Sequence, residues 1–181
     1  TLPNSSHRYR DWKVGGHGFV DMARAITISC DTFFYGLAIE LGIEKMTSFI
    51  RNFGFGKKSG IDINGENSGL LPTPEWKQRR FKQPWYVGET VIVGIGQGYT
   101  LVTPMQLAYA TAVLANKGTA MKPHLVTAIT DVTTAQTKMI KPILSGQIAL
   151  NESNLEIVTN AMIDVTLPGG TASQVGRDAG Y

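Results

Sequence analysis

The densest chemistry in the sequence lies at Ser29-Cys30-Asp31, a hydroxyl, a thiol and a carboxylate just ahead of the apolar run Thr32-Phe33-Phe34-Tyr35. A hydroxyl both donates and accepts a proton, and a carboxylate accepts. A lone cysteine packs, attacks or ligates a metal. Two readings of the triplet are open. Read locally, Ser29 and Asp31 are residues that cap a helix N-terminus. Alternatively, both point into a catalytic cleft while Cys30 points the other way. Residues two apart share a side in an extended or turning segment but not on a helix. The second reading therefore requires a turn at the triplet, between one helix and the next.

Asp11, His17 and Cys30 supply an oxygen, a nitrogen and a sulfur, all acceptable to zinc. Their spacing matches no compact zinc motif, and a packed cysteine, a surface histidine and a loop aspartate account for them as residues. His7 and His124 read as surface or packed histidines. Gly94-Ile95-Gly96-Gln97-Gly98 looks like a phosphate loop only superficially, since it lacks the full spacing, a following lysine and a helix directly after it. Trp76-Lys77-Gln78-Arg79-Arg80-Phe81-Lys82 mixes bases with aromatics. One short run of this kind reads as a solvated loop, and no nucleic-acid partner is expected.

The elements that must position these residues follow from composition and spacing. At 181 residues, 43% apolar and 17% charged, the chain can bury one proper core and is not disordered. No stretch reaches the ~18 apolar residues of a membrane span, and no signal peptide is visible at Thr1. Without an initiator methionine, the sequence reads as a piece of something longer. Residues 1 to 18 read as loop. Phe19, Met22, Ala23 and Ile26 suit one face of a short helix; Phe34, Leu37, Ala38 and Leu41 suit another, closed by Gly42. Met46, Phe49, Ile50 and Phe53 mark a third, stopped by Gly54. Residues 54 to 90 read as irregular, with brief strands at Gly60 to Ile63 and Gly69 to Leu71, and Glu89 to Ile95 as a buried strand. Thr103-Pro104-Met105-Gln106 opens a helix with a capping box, its main face Leu107, Ala110, Thr111 and Leu114 and its small-residue face Ala108, Ala112 and Ala115. Pro123 to Asp131 alternates like a strand. Ser153-Asn154-Leu155-Glu156 opens a last helix, with Leu155, Val158, Met162 and Val165 inward, broken at Leu167 to Ala172.

Taken together, these segments resemble the transpeptidase domain of the penicillin-binding proteins, in the elongation-specific class B branch. The match is carried by Tyr9-Arg10-Asp11-Trp12, Gly16-His17-Gly18, Ser29-Cys30-Asp31-Thr32-Phe33-Phe34-Tyr35 and Leu71-Pro72-Thr73-Pro74-Glu75-Trp76-Lys77. It continues through Trp85-Tyr86, Gly88-Glu89-Thr90, Gly94 to Gly98, Thr103 to Ala108 and Gly170-Thr171-Ala172. Of that family's three signatures, Ser-x-x-Lys, a serine triplet and Lys-Thr-Gly, only the triplet occurs here. The resemblance implies an α/β (α+β) fold of the serine β-lactamase-like kind, in a partial domain over 1–181 dominated by the helical subdomain. It also implies a peptidoglycan D,D-transpeptidase whose nucleophile lies upstream and whose Lys-Thr-Gly strand lies downstream, so that this polypeptide alone is inactive.

Carried over by position, the resemblance makes Ser29 and Asp31 catalytic-site residues, Ser29 as the second active-site serine. Asp31 stands where most of the family has asparagine. It also implies a structural zinc held by Asp11, His17 and Cys30, with a fourth ligand, an aspartate, before Thr1. The implied partners are peptidoglycan stem peptides, β-lactams, a glycan polymerase and cell-elongation scaffold proteins, at the periplasmic face of a bacterial inner membrane. Two other functions stay open: a β-lactamase-like hydrolase, and a non-catalytic, zinc-stabilised binding module.

Overall fold

A computed structural model of the chain describes residues 2 and 6–179. In chain order the elements are α1 (Met22–Thr27), α2 (Asp31–Arg51), α3 (Pro74–Phe81), α4 (Val87–Val93), α5 (Pro104–Ala115), β1 (Thr119–Met121), β2 (Ala128–Thr130), β3 (Thr137–Met139), β4 (Leu144–Gln147), α6 (Glu152–Asp164) and α7 (Ser173–Ala179). They fall into two compact units. One comprises Thr1–Ser48, Pro72–Thr100 and Asn151–Tyr181, the other Phe49–Leu71 and Leu101–Leu150.

In the first unit, Asp21 caps α1 by accepting the Arg24 N–H at 2.8 Å. The cap sits two residues beyond Phe19, which is therefore left outside the helix and fully exposed rather than on its buried face. Ala25, Ile28 and Cys30 form a core with Val20, Phe33 and Phe34, and α1 packs against α6. The expected pair of helices after the triplet is present as α2, interrupted at Gly42, whose φ of 76° and ψ of 159° no helix residue adopts. A side chain there would be held in the left-handed region that glycine occupies without strain.

Two expectations for residues 74 to 95 are corrected. The basic run is not a solvated loop but α3, capped by the Thr73 hydroxyl, which accepts the Trp76 N–H at 3.2 Å. Lys77 is 1% exposed; its Nζ pairs with Glu89 Oε1 and lies 4.2 Å from the centre of the Tyr86 ring. Glu89 to Ile95 is not a strand but α4, started where Glu89 Oε2 accepts the Tyr86 N–H at 2.8 Å. A short apolar run buried on most sides carries no period to separate strand from helix, and the capping glutamate decided it. The last helices are also corrected. Asn151, not Ser153, caps α6, its side chain accepting the Asn154 N–H. Residues after Thr171 continue into α7 rather than ending as loop.

The second unit has a core of Phe53, Ala110, Val113 and Ala120, flanked by Phe55, Tyr109, Leu114, Ile148 and Leu150. β1 pairs antiparallel with β4, bulged between Ala120 and Met121, and β2 pairs with β3 in a separate hairpin. The strand expected over Pro123 to Asp131 shrinks to β2. Of the two brief strands expected earlier, Gly60 to Ile63 is irregular, and only Leu70 makes a bridge, to Leu101.

The expected capping box of α5 is present: Thr103 Oγ1 accepts the Gln106 N–H at 3.1 Å, and Gln106 Oε1 accepts the Thr103 N–H at 3.0 Å. Its buried face is different from the one expected. Gln106, Ala110 and Val113 face inward, while Leu107 is 52% exposed and Ala108, Ala112 and Ala115 are exposed. The cause is the Gln106 amide, which donates to Lys57 O at 2.9 Å and Ser68 O at 2.7 Å and so ties the irregular segment to the helix. Gln106 is itself 1% exposed, and a buried polar group left without a partner costs about 1–3 kcal/mol.

Gln106→Ala should therefore lower stability by about 2 kcal/mol, read as a lower urea midpoint. Leu107→Ala, on the exposed side of the same helix, should change it by less than about 0.5 kcal/mol.

A carboxylate performs a similar tie at Glu66, which accepts the Ser59 N–H at 2.6 Å, the Ser59 hydroxyl at 2.5 Å and the Gly60 N–H at 3.0 Å. Partial burial opposes ionisation, but these donors outweigh it and hold the carboxyl below its ordinary value. A folded pKa below the unfolded one gives stability that is present above the unfolded value and lost as pH falls through the folded one. Hydrogen exchange over residues 59–66 should accelerate on acidification below about pH 4.3, beyond its intrinsic pH dependence. In Glu66→Gln that acid-dependent opening should disappear.

Candidate functional site

The triplet sits in the turn between α1 and α2. The Ser29 N–H reaches Ile26 O at 3.2 Å and the Cys30 N–H reaches Ala25 O at 2.9 Å, closing α1. Ser29 has φ +53°, a left-handed value that costs a non-glycine residue about 1–2 kcal/mol. It is offset by the Trp12 indole, whose Nε1 donates to Ser29 O at 2.9 Å and Ile28 O at 3.1 Å. The turn exposes Ser29, buries Cys30 to 2% and leaves Asp31 half-buried at the first position of α2. The local capping reading is thereby corrected. The Thr32 N–H is taken by Asp11 Oδ2, at 3.3 Å, and not by the triplet's own side chains.

Asp11 is the meeting point. Its Oδ1 accepts the Lys13 N–H at 3.1 Å and stands 3.1 Å from His17 Nδ1. Its Oδ2 accepts from the Cys30 thiol at 3.3 Å and the Thr32 hydroxyl at 3.2 Å. Burial would raise its pKa, but the Lys13 and Thr32 N–H groups, the thiol and the imidazole together hold the carboxyl at about 2. Asp31 moves the other way, raised by burial and then by the Asp11 charge beside it.

The structure brings the three expected donors together: one ligand atom each from Asp11, His17 and Cys30 lies within 4.8 Å of the others. The oxygen, nitrogen and sulfur set suits zinc. A second observation fits. His17 Nδ1 is buried and, although close to Asp11 Oδ1, makes no aligned hydrogen bond, which leaves its lone pair or proton unsatisfied. His124 lies outside the cluster, its Nδ1 2.8 Å from Val126 O. Beside the donors, Arg8, Arg10 and Lys13 line a cleft of about 600 Å³ with Tyr9 and Thr32.

One contact of the triplet was not anticipated. Ser29 Oγ lies 2.9 Å from Thr171 Oγ1, across 142 positions of sequence. The only sequence signal was the small-residue break Gly170-Thr171-Ala172, which announces a tight approach but not its target. The Lys77–Glu89 pair was equally hidden, since a lysine in a basic run reads as solvated.

The family model described as penicillin binding protein transpeptidase domain matches residues 1–181. The peptidoglycan D,D-transpeptidase MrdA of Acinetobacter baumannii is 46% identical over 170 residues, covering 93% of this chain and 25% of that protein. A crystal structure of Pseudomonas aeruginosa PBP2 in complex with WCK 5153 matches with a TM-score of 0.85 at 42% identity, over 98% of this chain and 40% of that one. PBP2 of Helicobacter pylori, solved in complex with MreC, matches with a TM-score of 0.76 at 36% identity, over 93% and 30%. The chain thus spans about a quarter of the length of the curated relative. The fold is the helix-rich part of the transpeptidase fold, as the resemblance implied. This chain belongs to the penicillin-binding protein transpeptidase domain family.

Proposed function

We propose that these residues are part of a peptidoglycan D,D-transpeptidase, with Ser29 and Asp31 on the substrate side and Asp11, His17 and Cys30 holding a structural zinc behind them. The observation that supports it is the alternation at the turn, with Ser29 exposed, Cys30 buried and Asp31 half-buried. A transpeptidase serine attacks the carbonyl carbon of the penultimate D-alanine, forming an ester as the C–N bond to the terminal D-alanine breaks. The leaving amine must gain a proton, and a second hydroxyl that donates one while accepting another can deliver it. Ser29 fills that role. The amine of a neighbouring stem peptide then attacks the ester, forming the cross-link and freeing the serine. The acylating serine and its lysine belong to the remainder of the parent, because the 181 residues contain no Ser-x-x-Lys. A β-lactam would acylate the same serine.

Asp31, a carboxyl with raised affinity for its proton, would hydrogen-bond the peptide backbone of the substrate. Zinc would neutralise the crowded Asp11 carboxylate and Cys30 sulfur, and take up a ring-nitrogen lone pair of His17. It would fix the turn that presents Ser29. The parent would act at the periplasmic face of the inner membrane with an elongation scaffold and a glycan polymerase. The relative solved with MreC supports the scaffold.

Labelled penicillin should acylate the full-length parent covalently. Ser29→Ala should cut the acylation rate constant by about 10²–10⁴-fold with the fold intact. A parent that is never labelled would overturn the transpeptidase reading, and rapid deacylation would move it to a β-lactamase.

Metal analysis of the parent should find about one zinc per chain, and a chelator should lower its Tm. Cys30→Ser should abolish both the zinc and the chelator effect. A protein free of zinc, with a Tm indifferent to chelator, would overturn the metal reading.

A further inference from the structure

We infer that Thr171 directs the hydroxyl of Ser29 and is a further positioning residue of the proposed acyl-transfer site, an inference that rests on Ser29 being the proton relay. The contact is Ser29 Oγ to Thr171 Oγ1 at 2.9 Å. Ser29 is exposed, so packing does not select one of its three staggered side-chain positions. A partner hydroxyl does. A serine hydroxyl has one proton and two lone pairs. With Thr171 donating into one lone pair, the Ser29 proton stays free for the leaving amine and the other lone pair stays free to accept from the nucleophile side. Without Thr171, the hydroxyl turns among positions of which only a fraction serve the relay.

Thr171 is held firmly enough to do this. Its N–H donates to Thr27 O at 3.2 Å, at the end of the helix that leads into the Ser29 turn. On either side the loop is clamped to the end of α6: the Gly170 N–H donates to Leu167 O at 2.9 Å and the Ala172 N–H to Val165 O at 2.9 Å. Gly170 itself has no room for a side chain, since a Cβ would lie 2.2 Å from Asp164 O and 2.3 Å from Val165 O. α6 in turn packs on α1.

The test uses the full-length parent and follows both acylation by labelled penicillin and turnover of a stem pentapeptide with an acceptor amine. Thr171→Val, which keeps the shape and removes the hydroxyl, should lower kcat about tenfold with KM changed less than about twofold, and Thr171→Ser should restore it. In a Ser29→Ala background, Thr171→Val should cost nothing further, because the two act as one unit. Should Thr171→Val lower Tm, Thr171→Ala in the same cycle carries the comparison. Wild-type turnover in both Thr171→Val and Thr171→Ala, failed rescue by serine, or additive losses in the double variant would overturn the inference while leaving Ser29 as the relay. A silent Ser29→Ala would overturn both.

Discussion

Much of the first unit depends on the Asp11 carboxylate being ionised in a place that disfavours charge. Burial penalises the ion, and three kinds of donor answer it, two backbone N–H groups, a thiol and a hydroxyl, with the His17 imidazole close beside them. The result is a loop residue that satisfies the start of α2, holds Cys30 inward and faces His17. Without the loop, the thiol loses its acceptor and the turn loses the bonds Trp12 gives to its carbonyls. The strained backbone of Ser29 is thus stabilised from a segment 17 positions away as well as by its own N–H bond to Ile26 O.

A second constraint comes from the far end of the sequence. α6 lies on α1, and the loop after it reaches the Ser29 turn through Thr171. Ser29 therefore answers to two segments, Trp12 holding its carbonyl and Thr171 its hydroxyl. Backbone and side chain of one residue are fixed independently. Elsewhere in the same unit, Lys77 and Glu89 tie α3 to α4. Removing Glu89 would leave the buried Lys77 ammonium without its carboxylate, whereas Glu89 is partly exposed and also accepts the Tyr86 N–H.

Apolar spacing made α1, α2 and α6 legible, and a locally written cap did so for α5. Thr103 and Gln106 announced α5, and Gly42 announced the break in α2. The turn at the triplet was legible as a gap between two apolar stripes. What failed did so for physical reasons. α4 is short and buried, so its apolar residues show no period, and its helix-forming signal, Glu89, looked like the first residue of a strand. α3 was hidden because Lys77 needs a glutamate twelve positions away before burial makes sense. The inward face of α5 was misread because Leu107 is more apolar than Gln106, whereas the irregular segment beside it needed an amide. The gathering of Asp11, His17 and Cys30 followed from the family resemblance, as their spacing alone indicated nothing.

The burial of Cys30 also bears on redox chemistry. It is the sole cysteine of the 181 residues, so no disulfide can close within them. At 2% exposure the sulfur is shielded from oxidants and from the thiols of other molecules. Asp11 Oδ2 lies against the sulfur and Val20, Phe33 and Phe34 pack on the core that holds it, so attack requires this packing around the turn to open. The thiol is consequently a gauge of that opening: the rate at which an alkylating reagent reaches it reports how often the support beneath Ser29 gives way.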